Sequence, residues 1–505
     1  MTSSLLKHED KSRASFDRSG GTFVKMIRTE LAKETNELIS RELQPHKERL
    51  HEILTQPWLP VVGPPGCGKT SFSTALVRLY VSLVLSQRTE SECVIIVLTS
   101  WTQLATQVLT AACMERLKDK KEVRLFMLGD EWTEFCNKYE NASVVNMKDV
   151  EAWKKAVKEP GVLIVSGTVG KFSYVAGSEW TENTTLHGRV LFSIVDEGST
   201  ILETNALTLP RYLIDSPDND GVHSYIADNY QLPAFQQSSK PVHTGIYNLI
   251  HNHKCLLLDQ QFRQPGNLNA FANHLFYGGL LKSAPHLADA TDQSLHVIVW
   301  HSSRLLPSQI RRSTMEAEII AYLSRAYAPN ASIITGYLGQ TQELKHQFRK
   351  DPKKPSISTI DVFQGKEEDE IILGLGRHIN LRDMSDRSHI GFVGDRRRIN
   401  VALTRCRQKL YLVAHHSIVD GSSKCESSEF WHRFFDMLWR LRLVCEIDVA
   451  TDSWKEKIDA YLLKNQRFSA NDVAREVRPH FRYLKVSPYM DSGKTAVTSF
   501  SFFSI

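Results

Sequence analysis

The residues best suited to do chemistry in this chain are the eight from Gly63 to Thr70, Gly-Pro-Pro-Gly-Cys-Gly-Lys-Thr. Gly63, Gly66 and Gly68 let the backbone fold into a tight cradle whose N–H groups face phosphate oxygens. Pro64, Pro65 and Cys67 complete the loop. Lys69 offers a point charge to outer phosphates, and Thr70, followed by Ser71, offers a hydroxyl to Mg²⁺. The apolar run Leu59–Val62 in front of the loop reads as a strand, and Ser71–Leu85 behind it as a helix. That setting adds the partial positive charge of a helix N-terminus. A second run, Val-Leu-Phe-Ser-Ile-Val-Asp-Glu from Val190, carries two carboxylates to a strand end. Asp196 is placed there to hold Mg²⁺, directly or through water. Glu197 is placed to orient and deprotonate an attacking water. Together the two runs describe a P-loop site for hydrolysing a nucleoside triphosphate.

Such a site needs parallel strands to bring its parts together, and the chain supplies them in two series. The first is Leu59–Val62, Val94–Leu98, Val162–Val165, Val190–Val195, Ser224–Ala227 and Cys255–Leu258. The second is His296–Trp300, Ser332–Ile334, Ser358–Val362, Ile371–Leu375 and Leu410–Val413. Continuous apolar strands alternating with helical stretches imply parallel sheets covered on both faces. Two series predict two α/β domains of about 200 residues each, joined near Gln260–Gly266. The expected division is a polar leader and helix over 1–40, a first domain over 41–262, a second over 263–448 and an extension over 449–505. The leader runs to about residue 22, and a helical pattern covers Phe23–Leu54. Asp215–Gly221 reads as a surface loop. After Ala450 a helix is expected over Trp454–Leu463, and another capped by Ser469.

Composition restricts the class without naming it. The 505 residues carry a formal charge of +5, 42% hydrophobic and 24% charged residues, a balance typical of globular proteins and compatible with a polyanionic partner. No two of the eight cysteines stand as Cys-x-x-Cys, which argues against a zinc ribbon or redox motif. No apolar run reaches the roughly 18 residues of a membrane span, and the first twenty residues lack a signal-peptide core. The expected location is cytoplasmic or nuclear, with reduced, buried thiols.

Further runs carry a resemblance to superfamily-one helicases of the B group, the class of the nonsense-mediated-decay helicase. It spans roughly residues 43–445. Ile226–Phe235, Ile-Ala-Asp-Asn-Tyr-Gln-Leu-Pro-Ala-Phe, resembles the family's sensor motif through Asp228, Gln231, Leu232 and Pro233. Asp259–Leu281 resembles its Gln-Tyr-Arg-Met-His-Pro motif through Gln261, Arg263 and Pro265, with Phe262 for the usual Tyr, and continues into Phe276-Tyr277-Gly278-Gly279. Tyr337 and Gln340, Thr359–Leu373 and Gly391–Val413 match later motifs, the last most closely.

The resemblance implies two tandem RecA-like P-loop domains with parallel sheets. It implies ATP with Mg²⁺ in their cleft and a single strand of nucleic acid, RNA favoured over DNA, moved 5′ to 3′. In these terms Gln231 contacts the γ-phosphate, Phe262 stacks on adenine, and Glu367 meets the ribose. Arg263 and Arg405 reach the γ-phosphate from the second domain, Arg405 as arginine finger. Arg398 faces the cleft. Gln44 is the candidate for the family's adenine-reading glutamine, although the surrounding Asn-x-x-Gln pattern is absent. Thr99, Ser100, Gln103, Ser166 and Thr168 are candidate contacts to the sugar-phosphate strand, with Thr359 and Gln364 near the strand or the cleft. About 40 residues precede Gln44, too few for the β-barrel that family members often carry there. A different class of reading is an ATP-switched clamp or scaffold that grips RNA or protein without unwinding.

Overall fold

The apolar runs form parallel strands because each is buried on both sides by neighbours and helices. The computed structural model describes residues 22–33, 39–54, 58–87, 93–139, 142–145, 150–176, 190–201, 222–228, 230–232, 255–290, 294–302, 312–376, 391–419, 426–464 and 466–480. The expected leader up to residue 21, the loop 215–221, and Pro233 to Phe235 lie outside these residues.

The first sheet has eight strands: β1 Trp58–Val62, β2 Cys93–Ser100, β3 Val123–Leu128, β4 Ala142–Val145, β5 Gly161–Thr168, β6 Val190–Asp196, β7 Val222–Ala227 and β8 Leu256–Leu257. Their order is β4-β3-β5-β2-β6-β7-β1-β8, and every pairing is parallel. Register brings the carboxyl ends to one edge: Ser100 lies opposite Asp196, and Val62 opposite Ala227. This is the edge where open α/β sheets bind ligands.

A two-stranded ribbon follows, β9 Gln260–Gln261 with β10 Lys282–Ser283. The second sheet comprises β11 Leu295–His301, β12 Ser332–Thr335, β13 Ile357–Thr359, β14 Glu368–Gly374, β15 Cys406–His415 and β16 Val444–Asp448. Its order is β13-β12-β14-β15-β11-β16, again parallel throughout.

The helices that matter to the cleft are α1 Thr22–Ala32, α2 Lys47–Ile53, α3 Lys69–Gln87, α4 Gln103–Arg116, α5 Gly266–Phe276, α6 Thr314–Ala326, α7 Arg396–Leu403, α8 Trp454–Leu462 and α9 Ala470–His480. Among the described residues the helical pattern read over Phe23–Leu54 is two helices, with a 3-10 turn at Gln44–His46 holding Pro45. The expected strand Ser358–Val362 ends at Thr359.

Five strands escaped the sequence reading, the two-residue strands β9 and β10 of the ribbon among them. In β3, half-buried Arg124 and Phe126 alternate with buried residues, so its run is not continuously apolar. Strands β4 and β16 are short edges, which need less apolar sequence.

Residues after Ala450 pack onto the second lobe. Ile458 of α8 is in its core, and Tyr461 donates its hydroxyl to the Leu443 carbonyl at 2.6 Å. Asn267 of α5 donates to the Phe468 carbonyl, and the Phe271 and Phe468 rings lie 5.7 Å apart. The Ser469 backbone and hydroxyl both donate to Asp472, and the Asp472 amide returns a bond to Ser469, which starts α9. Seven free cysteines are buried or half-buried, and Cys425 lies outside the described residues. No helix among the described residues is long and apolar enough to cross a membrane.

Candidate nucleotide cleft between the lobes

The loop from Gly63 leaves β1 and enters α3, as its residues require. Gly66 and Gly68 have φ of +74° and +73°, a region that L side chains avoid. A Cβ on Gly66 would lie 2.6 Å from Cβ of Arg263. The loop therefore packs directly on the second lobe's approach, and the Phe262 amide donates to the Gly66 carbonyl at 2.8 Å. Lys69 folds back over its own loop, donating to the Gly63 carbonyl at 2.8 Å. Its ammonium is buried, which pushes its pKa down. Burial pushes the Cys67 thiol up to about 12, so it stays protonated and fills space. Thr70 and Ser71, at the first turn of α3, line the cleft.

At the end of β6, Asp196 accepts the Glu197 amide at 2.9 Å. Glu197 itself is left-handed, at φ 52° and ψ 37°. Such a conformation in a non-glycine residue marks strain held in place by its surroundings, most often at a functional site. Burial raises the Asp196 carboxyl. Burial, then the charge of Asp196, raises Glu197 to about 7.

Beyond β7, Asp228 gathers three donors: the Tyr230 amide at 3.0 Å, Gln231 Nε2 at 2.8 Å and the Tyr277 hydroxyl at 2.8 Å. Tyr277 caps α5, in the second lobe. Asn400 of α7 donates to the Tyr277 oxygen and to the Tyr230 carbonyl, both at 2.7 Å. These five residues form a buried hydrogen-bonded tie between lobes. Tyr277 and Asn400 were visible as parts of family motifs, but nothing in the sequence assigned them this contact.

The second lobe supplies cations. Arg263 meets Glu367 at 2.6 Å and donates to the Thr404 carbonyl at 2.9 Å. Arg405 is 2% exposed. It donates to the Val401 carbonyl at 3.0 Å and to Thr404 Oγ1 at 3.2 Å. Burial, then the charge of Arg263, pulls its pKa down to about 9. Arg398 bridges Asp361 at 2.9 Å and Asp395 at 3.0 Å, and Asp395 caps α7. Gly365, at φ +79°, brings the loop after β13 to Glu197: a Cβ there would lie 3.6 Å from Glu197 Oε1.

One cavity of about 1230 Å³ is lined by Pro65, Gly66, Gly68, Lys69, Thr70, Ser71, Asp196, Glu197 and Gln231 from one side. Phe262, Arg263, Gln364, Glu367, Arg398 and Arg405 line it from the other. Phe262 is 53% exposed there, with a ring face to offer. The cradle, the cations and the strand-end carboxylate suit a triphosphate with a divalent ion, and Thr70 and Asp196 are the oxygen donors such an ion takes.

The comparisons agree with this geometry. Residues 243–417 match the AAA domain family model. Helicase sen1 of Schizosaccharomyces pombe is 27% identical over 270 residues, 45% of this chain and 15% of that protein. Regulator of nonsense transcripts 1 of Caenorhabditis elegans is 24% identical over 451 residues, 79% of this chain and 39% of that protein. The domain match and the helicase relatives support a superfamily 1B helicase family. The chain spans well under half the length of these relatives. The ATP-dependent type ISP restriction-modification enzyme LlaBIII bound to DNA overlays 88% of this chain and 33% of its own, at TM-score 0.47 and 13% identity.

Other family-derived assignments fall away from the cleft. Gln44 is exposed in its 3-10 turn and is not among the cleft-lining residues. Thr99, Ser100 and Ser166 are fully buried. Ser166 shares a 2.6 Å hydrogen bond with Thr110 of α4. Side chains of β2 and β5 point to the faces of the sheet, which helices cover, so these three buried hydroxyls are not open to a strand of nucleic acid, contrary to expectation. Gln103 is exposed and donates to Glu131 at 3.4 Å. Thr168 is half-buried at the end of β5, and Thr359 ends β13, outside the cleft lining.

Proposed function

We propose that this chain hydrolyses ATP between its lobes and uses the cycle to move along single-stranded nucleic acid. RNA is favoured over DNA by the transcripts in the nematode relative's name; direction is 5′ to 3′ by family resemblance. The observation that carries the reading is the shared cavity: Arg263 and Arg405 of one lobe face Lys69, Asp196 and Glu197 of the other.

The loop amides and Lys69 hold the phosphates, and Phe262 offers its ring to the base. Mg²⁺ on Thr70 and Asp196 would supply charge neutralisation at the outer phosphates. Glu197, with its raised pKa, is suited to take a proton from water. Arg405 faces the charge that develops on the leaving phosphate. Lys69, Gln231, Arg263 and Arg405 each rest on a protein partner. A triphosphate competes for all four at once, so its arrival and loss favour different lobe arrangements.

The test is steady-state ATP hydrolysis by purified chain at fixed salt, with and without poly(U) or single-stranded DNA. Stimulation by a strand is expected. Lys69→Ala and Glu197→Gln should both abolish turnover, with the glutamine variant still binding ATP. Strand binding without stimulated turnover would leave a nucleotide-switched clamp instead.

A further inference from the structure

The three hydroxyls sealed in β2 and β5 are not alike. Ser166 shares a bond with Thr110. Thr99 Oγ1 and Ser100 Oγ, both fully buried, have no hydrogen-bond partner among the described residues. Taking a hydroxyl out of water without a partner is unfavourable, and folded chains keep few such groups. Each therefore calls for a reason.

Register separates the two. Side chains alternate between the faces of a sheet. Ser100 lies opposite Asp196, and two residues earlier Leu98 lies opposite Ile194, so these four share one face. Leu98 and Ile194 belong to the core that holds Phe72, Leu76 and Tyr80 of α3. On the same face Phe192 meets Tyr80, with ring centroids 3.9 Å apart. Thr70, the other metal donor, lies on the first turn of that helix. Thr99 lies opposite Val195, which packs with Val169 and Tyr225 in a separate cluster. One unbonded hydroxyl thus lies on the side of the metal donors, and the other turns away from them.

One Asp196 oxygen accepts the Glu197 amide, which leaves the other for Mg²⁺. Mg²⁺ dehydrates reluctantly and keeps several waters in its shell. Metal-binding carboxylates are themselves held by outer hydrogen bonds, whose loss weakens metal binding about 10–100-fold. Neighbouring strands lie about 4.8 Å apart, a span that one water bridges. A serine hydroxyl can donate and accept at once.

We infer that Ser100 is a positioning residue for the metal: its hydroxyl bonds a water shared by Asp196 and the ion, and so fixes the carboxylate at the end of β6. It stays unbonded within the protein because its partner arrives with the nucleotide. The inference rests on the nucleotide chemistry proposed above.

The experiment uses the full chain, with Mn²⁺ as a spectroscopic probe of the Mg²⁺ site. Mn²⁺ is titrated into protein saturated with a non-hydrolysable ATP analogue, and the free ion is followed by electron paramagnetic resonance. Ser100→Ala should weaken Mn²⁺ binding about tenfold. Thr99→Val, which deletes the other unbonded hydroxyl, should leave it unchanged. With neither nucleotide nor metal added, Ser100→Ala should melt no lower than the unaltered chain, because no protein bond is lost. Unchanged Mn²⁺ binding by Ser100→Ala overturns the assignment. So does equal weakening by Thr99→Val, since the loss then belongs to the strand and not to one face. A lower melting temperature for Ser100→Ala overturns it as well, because the hydroxyl is then bonded within the fold. If the unaltered chain with analogue binds Mn²⁺ no more tightly than the analogue alone, the proposed nucleotide site itself fails.

Discussion

In the first lobe the buried carboxyls of the cleft are held above their ordinary range, Glu197 at about 7. In the second, buried Arg405 is held below its range, at about 9. The signs are opposite but the cause is the same: each lobe has taken its own charges out of water without fully pairing them. The carboxylates lie with Lys69 on one body, and the guanidiniums lie together on the other. Neither set is complete alone, and a magnesium triphosphate brings the countercharges both lack. The difference teaches that the shifted carboxyls lie on one lobe of the cleft and the shifted guanidinium on the other, which is what the proposed hydrolysis between two bodies requires.

That division can be broken by experiment. The largest effect expected is from Arg405→Ala, which should lower turnover by about 10³-fold. Affinity for a non-hydrolysable ATP analogue should change far less, because the first lobe holds the loop, Lys69 and the metal donors. Binding by calorimetry beside turnover measures this. Equal loss in both would mean the second lobe binds the ground state as strongly as the first.

Smaller is the effect of cutting the tie between lobes. Tyr277→Phe removes a hydroxyl that donates to the Asp228 carboxylate and accepts from Asn400. Loss of a bond to a charged group, with a donor orphaned, should cost about 3 kcal/mol in denaturant unfolding. An unchanged midpoint would show that the lobes meet independently of this network.

A third effect sharpens the comparison by lying wholly inside one lobe. Glu316 of α6 is fully buried and accepts the Gly376 amide at 2.7 Å, and burial raises its pKa from 4.5 to about 8. Between those values the folded chain keeps a proton that the unfolded chain releases, so stability falls as pH rises through the window. Glu316→Gln removes that dependence. The two proteins should unfold alike near pH 4.5, and the variant should lead by about 4 kcal/mol at pH 8. A gap constant with pH would contradict the assignment.

Much of the cleft was legible because its first half is local. Spacing alone placed Gly66 and Gly68 where positive φ is needed, and five apolar residues in six carried Asp196 to a strand end. The second-lobe arginines were legible only through family motifs, since three consecutive arginines from Arg396 also describe a solvated face. The strand contacts failed because exposure is not a local property. Thr99 and Ser100 sit in polar company in the sequence, yet both are buried in the folded chain, on a central strand whose faces other elements cover.

The sequence determined what depends on a few neighbouring dihedrals and side chains: the phosphate cradle, the strand-helix alternation, the cap of α9 by Ser469. The tertiary structure decided what depends on residues far apart along the chain. The Tyr277 hydroxyl reaches Asp228 across 49 positions, and Asn400 reaches Tyr277 across 123. Packing also chose which hydroxyls were sealed, because burial is set by the elements that stack on a residue and not by the residues that flank it.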